Sequence, residues 1–372
     1  MNTDIFKSNP LLKHYNKKTG VILLAHSLIG SVRGKSANGL MIHNELLKVV
    51  AIVDKEAPGK MTSEECLGVT INIPIYCDVK TAVHIHKAKA IVILVDPLPF
   101  LHTDIKIAIL NKLDIINTSF RFIKDIPSIK TLAEFNNVKY FDLRDVIHQQ
   151  GYPNTEIVNR GAKVIYVTGT DCGLGKRTAS FELLLEARKR GVNATMYATG
   201  QTGLMLGIHG TVVDSLITEF SNGIVSQHIC QLSEQGYDII FVEGQSDIFH
   251  PANSAMALAL LHGANPDGVI LVHDHFRKFH QGFEKEAELY RMHSLNRYIE
   301  TLKMLSLPCG PEYKTIGIAT IGQENIKNIR KILPDDSVII EDARTKIGRA
   351  LLFDIILKHC NISCERKEPV LL

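Results

Sequence analysis

The stretch VIYVTGTDCGLGKRTAS, residues 164–180, constrains the fold more than any other part of the chain. A short apolar run ends at Gly169, a glycine-rich segment follows, and Lys176 leads into a helical pattern. This order predicts a buried strand, a tight loop and a helix whose first backbone N–H groups form a nest for a phosphate. The predicted phosphate-binding residues are Gly169, Thr170, Asp171, Cys172, Gly173, Gly175, Lys176, Arg177 and Thr178.

This loop departs from the ordinary nucleotide-binding pattern GxxxxGK[ST] at both ends. Thr170 replaces the first glycine, and Arg177 stands where a Ser or Thr hydroxyl normally holds Mg²⁺. Arginine stays protonated and only donates hydrogen bonds, so it cannot ligate a metal, but it can neutralise a phosphate directly. Thr178 lies about 100° further around the helix and remains an alternative metal ligand.

A second motif supports phosphate binding. The apolar strand YDIIFVE, residues 237–243, ends on Glu243. In phosphate-loop proteins, an acid at the end of a neighbouring strand holds Mg²⁺ or its water shell. If the protein uses Mg²⁺, Thr178 and Glu243 are therefore the predicted metal ligands.

The second half of the chain alternates strands with helices. The predicted strands cover 163–169, 237–243, 267–274 and 314–322, and the predicted helices include 178–191, 254–263 and 296–306. This alternation favours a parallel sheet of the phosphate-loop NTPase type, in which ligands bind at the carboxyl ends of the strands. Polar clusters follow three of those strands, at 169–178, 243–250 and 273–277.

The first half shows the same alternation. Strands are predicted for GVILL, KVVAIVD, AKAIVILVD and DIINTS, and helices for SANGLMIHNELL and TDIKIAILNKL. The fold class is thus α/β, with a Rossmann-like domain over residues 1–150 and a phosphate-loop domain over 151–372. Asp54 and Asp96 end two of the strands, and Asp54 stands where nucleotide-binding sheets often place an acid for a ribose. The first turn lacks GxGxxG, however, so a structural role for this domain is preferred to a dinucleotide site.

Composition excludes several classes of protein. Of the 372 residues, 45% are hydrophobic and 22% are charged, which is typical of a folded chain. The net charge of +3 and the lack of a concentrated basic patch argue against nucleic-acid binding. No apolar run reaches the length of a membrane span and no signal core is present, so we expect a cytoplasmic protein without a membrane partner. The seven cysteines contain no CxxC pair, which favours reduced, buried thiols over a zinc site.

Several motifs together resemble one known family. GTDCGLGKRT, ATGQTG, VEGQ, the pair His250-Pro251 followed by Ser254, and LLHGANPDGVILVHD look like the D-glutamate N-acetyltransferase-like family. The loop is also similar to that of the dethiobiotin synthetase branch of phosphate-loop enzymes. The resemblance covers nearly the whole chain and implies a Rossmann-like domain, a phosphate-loop domain, and acetyl transfer from acetyl-CoA to the amine of an amino acid. Family members have Gly after EGQ, whereas this chain has Ser246 and Asp247.

Three functions follow from these motifs. The first is an N-acetyltransferase whose loop holds the phosphates of acetyl-CoA, and Arg177 favours it because a fixed cation stands where a metal ligand is expected. The second is an ATP- and Mg²⁺-dependent ligase or kinase of the dethiobiotin synthetase type. The third is a non-catalytic nucleotide-binding protein in which Ser246 and Asp247 have altered the site.

Acetyl transfer needs a base for the ammonium group and donors for the thioester oxyanion. His250 is the predicted base, with Glu243 behind it and Asp274 as a further candidate. His273 and His275 alternate at a strand end, where hydrogen bonding is preferred to a metal pair. Cys172 lies near the helix start, where the pKa of a thiol falls, so a covalent acyl-cysteine route also stays open.

The amino acid substrate needs a cation for its carboxylate. Arg277 and Arg344 are the predicted ligands, because arginine binds carboxylates through two parallel hydrogen bonds. Gln201 and Thr202, in the glycine-rich loop after the next strand, and Gln245 in the VEGQ segment complete the predicted substrate site. The expected partners are a small amino acid and further copies of the chain in a homo-oligomer.

Overall fold

The computed structural model describes residues 9–29, 34–43, 45–56, 71–95, 101–152, 154–286, 288–333 and 338–363. The chain forms two compact units. The first unit contains the residues up to His148 and the segment Gly200–Ser215, and the second contains Gln149–Thr199 and the residues from Leu216 onwards. Asp96, which was predicted to end a strand, and Cys66 and Cys364 lie outside the described residues.

The first unit is built on a six-stranded sheet in which all strand pairs are parallel. Its strands are β1 (Thr19–Leu24), β2 (Leu47–Val53), β3 (Ile75–Tyr76), β4 (Ala90–Ile93), β5 (Asp114–Asn117) and β6 (Tyr140–Asp142). The order β3-β2-β1-β4-β5-β6 is that of a Rossmann fold, in which the winding direction reverses between β1 and β4. The predicted Rossmann-like sheet is confirmed.

Among the residues that the structure describes, four helices of this unit lie between the strands in the chain. They are α1 (Lys35–Ile42), α2 (Val79–Ile85), α3 (Leu101–Leu110) and α4 (Pro127–Phe135). The sequence did not predict β3 and β6, because strands of two and three residues are too short to show a hydrophobic period. Asp54 accepts hydrogen bonds from the backbone N–H groups of Ser27 and Glu56, which supports the structural role preferred for this domain.

The second unit opens with the strand, loop and helix predicted first. β7 (Lys163–Gly169) is followed by α5 (Lys176–Lys189) and then by β8 (Ala194–Ala198). β7 has the predicted bounds, and all but its first residue are buried. A near-continuous apolar run of this kind is expected for a strand covered on both faces of a parallel sheet.

After β8 the chain enters the first unit for sixteen residues, Gly200–Ser215. This segment contains α6 (Gln201–Met205) and the two-residue strand β9 (His209–Gly210). Hydrogen bonds from Asn9 Nδ2 to the Leu204 and Ile208 carbonyl oxygens, of 2.6 and 3.1 Å, hold it in the first unit. The predicted domain 151–372 includes these residues, because nothing in their pattern marks the excursion.

The remaining elements belong to the second unit. They are α7 (Thr218–Glu234), β10 (Ile239–Glu243), α8 (Ser254–Ala264), β11 (Gly268–Val272), α9 (Leu295–Met304), β12 (Thr315–Ala319), α10 (Gln323–Ile332), β13 (Ile339–Glu341) and α11 (Lys346–Cys360). Within this unit the strands are parallel and lie in the order β13-β12-β11-β7-β10-β8. The two-domain α/β fold class is confirmed.

The cysteines agree with the prediction only in part. Cys230 and Cys360 are buried free thiols, and burial raises their pKa values to about 11 and about 12. Cys77 and Cys309 are exposed, so the prediction of burial is wrong for them; one follows the short strand β3 and the other lies in a turn after α9. Among the described residues, no helix is long and apolar enough to cross a membrane.

Candidate functional site

β7 lies between β10 and β11 in the second sheet. Because the three strands are parallel, the segments that follow them begin side by side at the carboxyl edge of the sheet. These segments are the three polar clusters predicted from the sequence. The structure therefore brings the clusters together around the loop that follows β7.

The loop after β7 has the backbone conformation of a phosphate-binding loop. Gly175, with φ +98°, caps α5 without a side-chain hydrogen bond, and Gly173 has φ +71°. Residues with a side chain rarely adopt these φ values. The first N–H groups of α5 thus remain available to an anion at the helix N-terminus.

Lys176 folds back over the end of β7. Its side chain is buried, and Nζ donates a hydrogen bond of 2.6 Å to the carbonyl oxygen of Asp171. A Cβ on Gly169 would lie 3.2 Å from Cγ and Cδ of Lys176 and 3.1 Å from the Val272 carbonyl oxygen. Glycine at position 169 therefore makes room for the lysine, whose ammonium group lies inside the loop.

Thr170 joins the loop to β11. Its backbone N–H donates to the Val272 carbonyl oxygen at 3.0 Å, and its hydroxyl lies 2.9 Å from Nδ1 of His273. Burial lowers the pKa of His273 to about 4, so the imidazole is neutral at pH 7. The predicted hydrogen-bonding role is confirmed for His273.

Arg177 and Glu243 interact at the neighbouring strand end. Desolvation lowers the pKa of Arg177, and the negative charge of Glu243 partly offsets this effect. Glu243 is itself buried, and its Oε2 accepts a hydrogen bond of 3.2 Å from the backbone N–H of Thr199. The acid predicted to bind Mg²⁺ thus already has a fixed cation close to it, while Thr178, the other predicted ligand, is half-buried in the first turn of α5.

His250 is buried in the segment that follows β10 at the carboxyl edge of the second sheet. Its Nδ1 accepts a hydrogen bond of 3.2 Å from the Ala252 backbone N–H. In the neutral imidazole the proton is therefore on Nε2, which makes that nitrogen a donor. The assignment of His250 as the base stays a prediction, and this contact favours a donating role.

Asp274 follows β11 and is half-buried. Its Oδ1 accepts a hydrogen bond of 3.0 Å from the Phe276 backbone N–H. Within the described part of the chain, no hydrogen bond reaches its Oδ2. Asp274 therefore offers lone pairs to an incoming group, which Glu243 beside Arg177 does less readily.

The two arginines predicted to bind a carboxylate lie at different places in the second unit. Nη1 of Arg277 is 3.2 Å from Oδ2 of Asp171, so this arginine contacts the phosphate loop. Arg344 follows β13 and forms a two-pronged pair with Asp342, through Nε at 3.0 Å and Nη2 at 2.7 Å. β13 lies three strands from β7, about 14 Å at the usual strand spacing.

The three remaining predicted substrate ligands belong to different units of the chain. Gln245 lies in the second unit and donates a hydrogen bond of 2.5 Å to the Thr199 carbonyl oxygen. Gln201 and Thr202 belong to the first unit. There Thr202 donates to Ser36 at 2.8 Å, and Gln201 lines a cavity of about 180 Å³ together with Arg144.

Two acids and a histidine form a cluster that the sequence pattern does not predict. Asp171 and Asp247 are fully buried and His280 nearly so. Nδ1 of His280 lies 3.5 Å from Oδ1 of Asp171 and 3.4 Å from Oδ2 of Asp247. Asp247 had been considered only as a departure from the family pattern, and His280 lies in an irregular loop with no periodicity. The number of histidines between 250 and 293 was the one signal that pointed there.

These charges change the ionisation of the cluster. Burial lowers the pKa of His280, but Asp171 and Asp247 outweigh burial and raise it to about 9. Burial raises the pKa of the Asp171 carboxyl, yet His280, backbone N–H groups and Arg277 more than offset it and lower the pKa. The Tyr298 hydroxyl lies 2.9 Å from the Thr170 carbonyl oxygen and 3.3 Å from Oδ1 of Asp247. Burial and Asp247 raise the pKa of Tyr298, which keeps it a neutral donor.

Ser246, the other departure from the family pattern, has a left-handed backbone with φ +56°. Glycine adopts this conformation without the steric cost that a side chain adds, which gives a physical reason for Gly at this point of the loop. Here the serine is buried, and its Oγ lies 3.7 Å from Sγ of Cys172. Ser246 thus contacts the phosphate loop directly.

Comparison with known proteins agrees with this geometry. Residues 153–331 match the model of the DUF1611 P-loop domain, a domain of unknown function. A DUF1611 family protein from Anabaena variabilis has the same fold, with a TM-score of 0.82 at 23% identity over 92% of this chain and 100% of that one. The predicted phosphate-loop domain is confirmed.

Two curated relatives are named D-glutamate N-acetyltransferase. The protein from Tritonibacter scottomollicae is 29% identical over 206 residues, 55% of this chain and 60% of that relative. The protein from a Pseudoalteromonas species is 26% identical over 221 residues, 57% of this chain and 61% of that relative. The chain thus spans about three fifths of the length of these relatives. The resemblance predicted from the motifs is confirmed.

Proposed function

We propose that this protein is an acyl-CoA-dependent N-acyltransferase that transfers an acetyl group from acetyl-CoA to the amine of an acidic amino acid such as D-glutamate. The names of the two curated relatives support the reaction and the substrate class. The loop after β7 supports a donor that carries phosphate groups. Lys176 and the first turn of α5 are the groups proposed to hold the phosphates of coenzyme A.

The observation that carries the choice of donor is that Arg177 occupies the first turn of α5, where the metal-binding hydroxyl is expected, and that the charge of Glu243 acts on it. In a Mg²⁺-dependent site the acid and the hydroxyl after the lysine share the metal. Here the charge of Glu243 acts on a guanidinium group that replaces this hydroxyl. A divalent ion at this position would meet a fixed positive charge, whereas a phosphate would be attracted by it.

The transfer needs one acceptor and one donor of protons near the thioester. The amine nitrogen attacks the thioester carbonyl carbon, the C–S bond breaks, and coenzyme A leaves as a thiolate that takes up a proton. The accessible lone pairs of Asp274 suit it to receive the proton of the ammonium group. Nε2–H of His250 suits it to donate to the thioester oxygen, and Arg277 is the proposed ligand of the substrate carboxylate.

The proposal is tested by calorimetric titration of the full chain with acetyl-CoA, with dephospho-CoA, and with ATP plus Mg²⁺. We expect binding of acetyl-CoA without Mg²⁺. Release of free thiol from acetyl-CoA should then depend on D-glutamate, with L-glutamate and D-alanine as matched controls for chirality and side-chain charge. Asp274→Asn should lower kcat and change KM little, because a proton acceptor acts on the reacting amine.

Two results would overturn the proposal. Binding of ATP that requires Mg²⁺, with no binding of acetyl-CoA, would favour the ligase or kinase alternative. Binding of both ligands without thiol release for any amino acid would favour a nucleotide-binding protein without catalysis.

A further inference from the structure

The buried cluster of Asp171, Asp247 and His280 contains three polar atoms that form no hydrogen bond. They are Oδ1 of Asp171, Oδ2 of Asp247 and Nδ1 of His280, and all three are shielded from solvent. One potential ligand atom from each of the three residues lies within 4.8 Å of the other two. A buried polar atom without a partner costs about 1–3 kcal/mol, so three that converge on one point need an explanation.

We propose that Asp171, Asp247 and His280 bind a divalent transition-metal ion of the Zn²⁺ type. Carboxylate oxygen and imidazole nitrogen are ligands that such ions prefer. The side chains come from three segments that follow neighbouring strands: Asp171 after β7, Asp247 after β10 and His280 after β11. The ion would join these segments at the carboxyl edge of the sheet.

The distances within the cluster fit metal ligands better than hydrogen bonds. A charge-assisted N–H···O bond is about 2.7–2.9 Å long. The two distances from His280 Nδ1 to the carboxylate oxygens are 3.4 and 3.5 Å. Two ligands of a tetrahedral ion at metal–ligand distances of about 2.1 Å lie about 3.4 Å apart. The distances from Nδ1 of His280 to the two carboxylate oxygens are thus those expected between ligands of one ion.

The second oxygen of each carboxylate is fully used in fixing its orientation. Oδ2 of Asp171 accepts from Gln281 N–H at 2.9 Å and from Arg277 at 3.2 Å. Oδ1 of Asp247 accepts from Phe249 N–H at 2.7 Å and lies 3.3 Å from the Tyr298 hydroxyl. Outer contacts of this kind orient metal ligands and leave the other oxygen to the ion.

A second group of potential ligands shares Asp171 with this cluster. Ligand atoms of Cys172 and His250 also lie within 4.8 Å of one another and of a carboxylate oxygen of Asp171. Three protein ligands with an open or exchangeable fourth position are typical of zinc sites that act on a substrate. This position is distinct from the one predicted for Mg²⁺ at Thr178 and Glu243.

The alternative is an imidazolium that neutralises both acids without a metal. Asp171 and Asp247 raise the pKa of His280 to about 9 against the effect of burial, which favours this protonated form. A proton on Nδ1 would reach the two acids only through contacts longer than good hydrogen bonds. The experiment below separates the two states.

The test uses the full chain after treatment with EDTA and dialysis. Calorimetric titration with ZnCl₂ should give one equivalent of tight binding, and Co²⁺ loading should give the intense visible absorption of a tetrahedral site. Asp247→Asn and His280→Asn should each lower the affinity for Zn²⁺ at least about 100-fold, as expected when a ligand is lost. His280→Asn is informative because the amide nitrogen can occupy the place of Nδ1 and donate to the acids, but it is a poor metal ligand.

The matched controls are His275→Asn and Asp238→Asn, which lie outside the cluster and should bind Zn²⁺ like the wild-type chain. Equal Zn²⁺ affinity in all variants would overturn the proposal, since it would mean binding at exposed histidines. A folded wild-type chain that binds no Zn²⁺ would also overturn it. If the Asp247 variant does not fold, the Co²⁺ spectrum of the wild-type chain decides, because absence of the tetrahedral bands contradicts the site. The inference does not rest on the proposed acetyl transfer, because metal binding is measured without an acyl donor.

Discussion

The carboxyl edges of the two sheets differ in how their charged side chains are satisfied. At the first edge the buried Arg144 donates to the Thr118 carbonyl oxygen at 2.7 Å and to Asp214 at 2.5 Å, and its guanidinium stacks on Phe120. At the second edge, Asp171 and Asp247 each keep one buried oxygen without a hydrogen bond. Both sheets are parallel and place loops at the same end of their strands. The difference is that neighbouring strand ends of the second sheet bring two such carboxylate oxygens within 3.5 Å of one histidine nitrogen, whereas the arginine of the first edge already binds its acid and a carbonyl oxygen.

The largest expected effect comes from Lys176→Ala at the second edge. It removes an ammonium group buried in the loop, and we expect the affinity for acetyl-CoA to fall about 100-fold, the effect of losing about two charge-assisted hydrogen bonds. Calorimetry measures the change, and Lys278→Ala, an exposed lysine of the same unit, is the control. Unchanged affinity in the Lys176 variant would contradict the assignment of this edge to phosphate.

At the first edge, Arg144→Ala should act on stability instead. It leaves Asp214 and the Thr118 carbonyl oxygen without their donor and removes the contact with Phe120, so we expect a loss of about 2 kcal/mol in the free energy of unfolding. Urea denaturation measures it, with the exposed Arg121→Ala as control. If the Arg144→Ala variant kept its stability but lost acetyl-CoA binding, the structural role assigned to the first edge would be wrong.

A pH-dependent loss of stability should arise from a buried histidine of the second unit. His228 is buried on α7 beside the hydroxyl of Tyr197, and burial lowers its pKa to about 4. The unfolded chain binds a proton near pH 6.5 that the folded chain takes up only near pH 4. Stability therefore falls as the pH drops below about 6.5, by about 2 kcal/mol between pH 7 and pH 5.

Urea denaturation at pH 7 and pH 5 of the wild-type chain and of His228→Gln measures this effect. The variant should be less stable at pH 7 but should show less loss of stability on acidification. An identical pH dependence in both proteins would assign the acid sensitivity to other groups.

The smallest expected effect compares one serine at each edge. Ser27 follows β1 and Ser246 follows β10, with left-handed φ values of +61° and +56°. Ser246→Gly and Ser27→Gly should each change the free energy of unfolding by less than about 1 kcal/mol, because relief of backbone strain is partly offset by the greater freedom of glycine in the unfolded chain. Only Ser246→Gly should alter ligand binding, since Ser246 contacts Cys172 in the loop. An equal change of ligand affinity in both variants would remove this distinction.

The sequence predicted the framework of the second edge well, because a phosphate loop is a local pattern. Gly169, Gly175 and Lys176 occupy the predicted positions relative to β7 and α5. The partners of these residues were harder to predict. Arg344 is one of many surface arginines in the pattern, and only the sheet order shows that it pairs with Asp342 far from the loop. Arg277 instead pairs with Asp171 of the loop, and this pairing across 106 residues leaves no mark on the local hydrophobic period.

The cluster of Asp171, Asp247 and His280 was also not predictable, because its members are far apart in the chain. Asp171 and Asp247 lie 76 positions apart and His280 another 33, and each follows a different strand. Their convergence depends on the order of β7, β10 and β11 in the sheet, which the strand pattern does not specify. Of this cluster, the sequence analysis assigned a site role only to Asp171, as part of the phosphate loop.

The excursion of residues 200–215 has a consequence for how the protein is made on the ribosome. The first 148 residues leave the exit tunnel before the segment that Asn9 holds through Leu204 and Ile208 has been synthesised. The N-terminal unit therefore cannot reach its final packing until β7, α5 and β8 have also emerged. A nascent chain stalled after residue 150 should be cleaved by protease more readily than one stalled well beyond residue 215, and expression of the first 150 residues alone should give an unstable fragment.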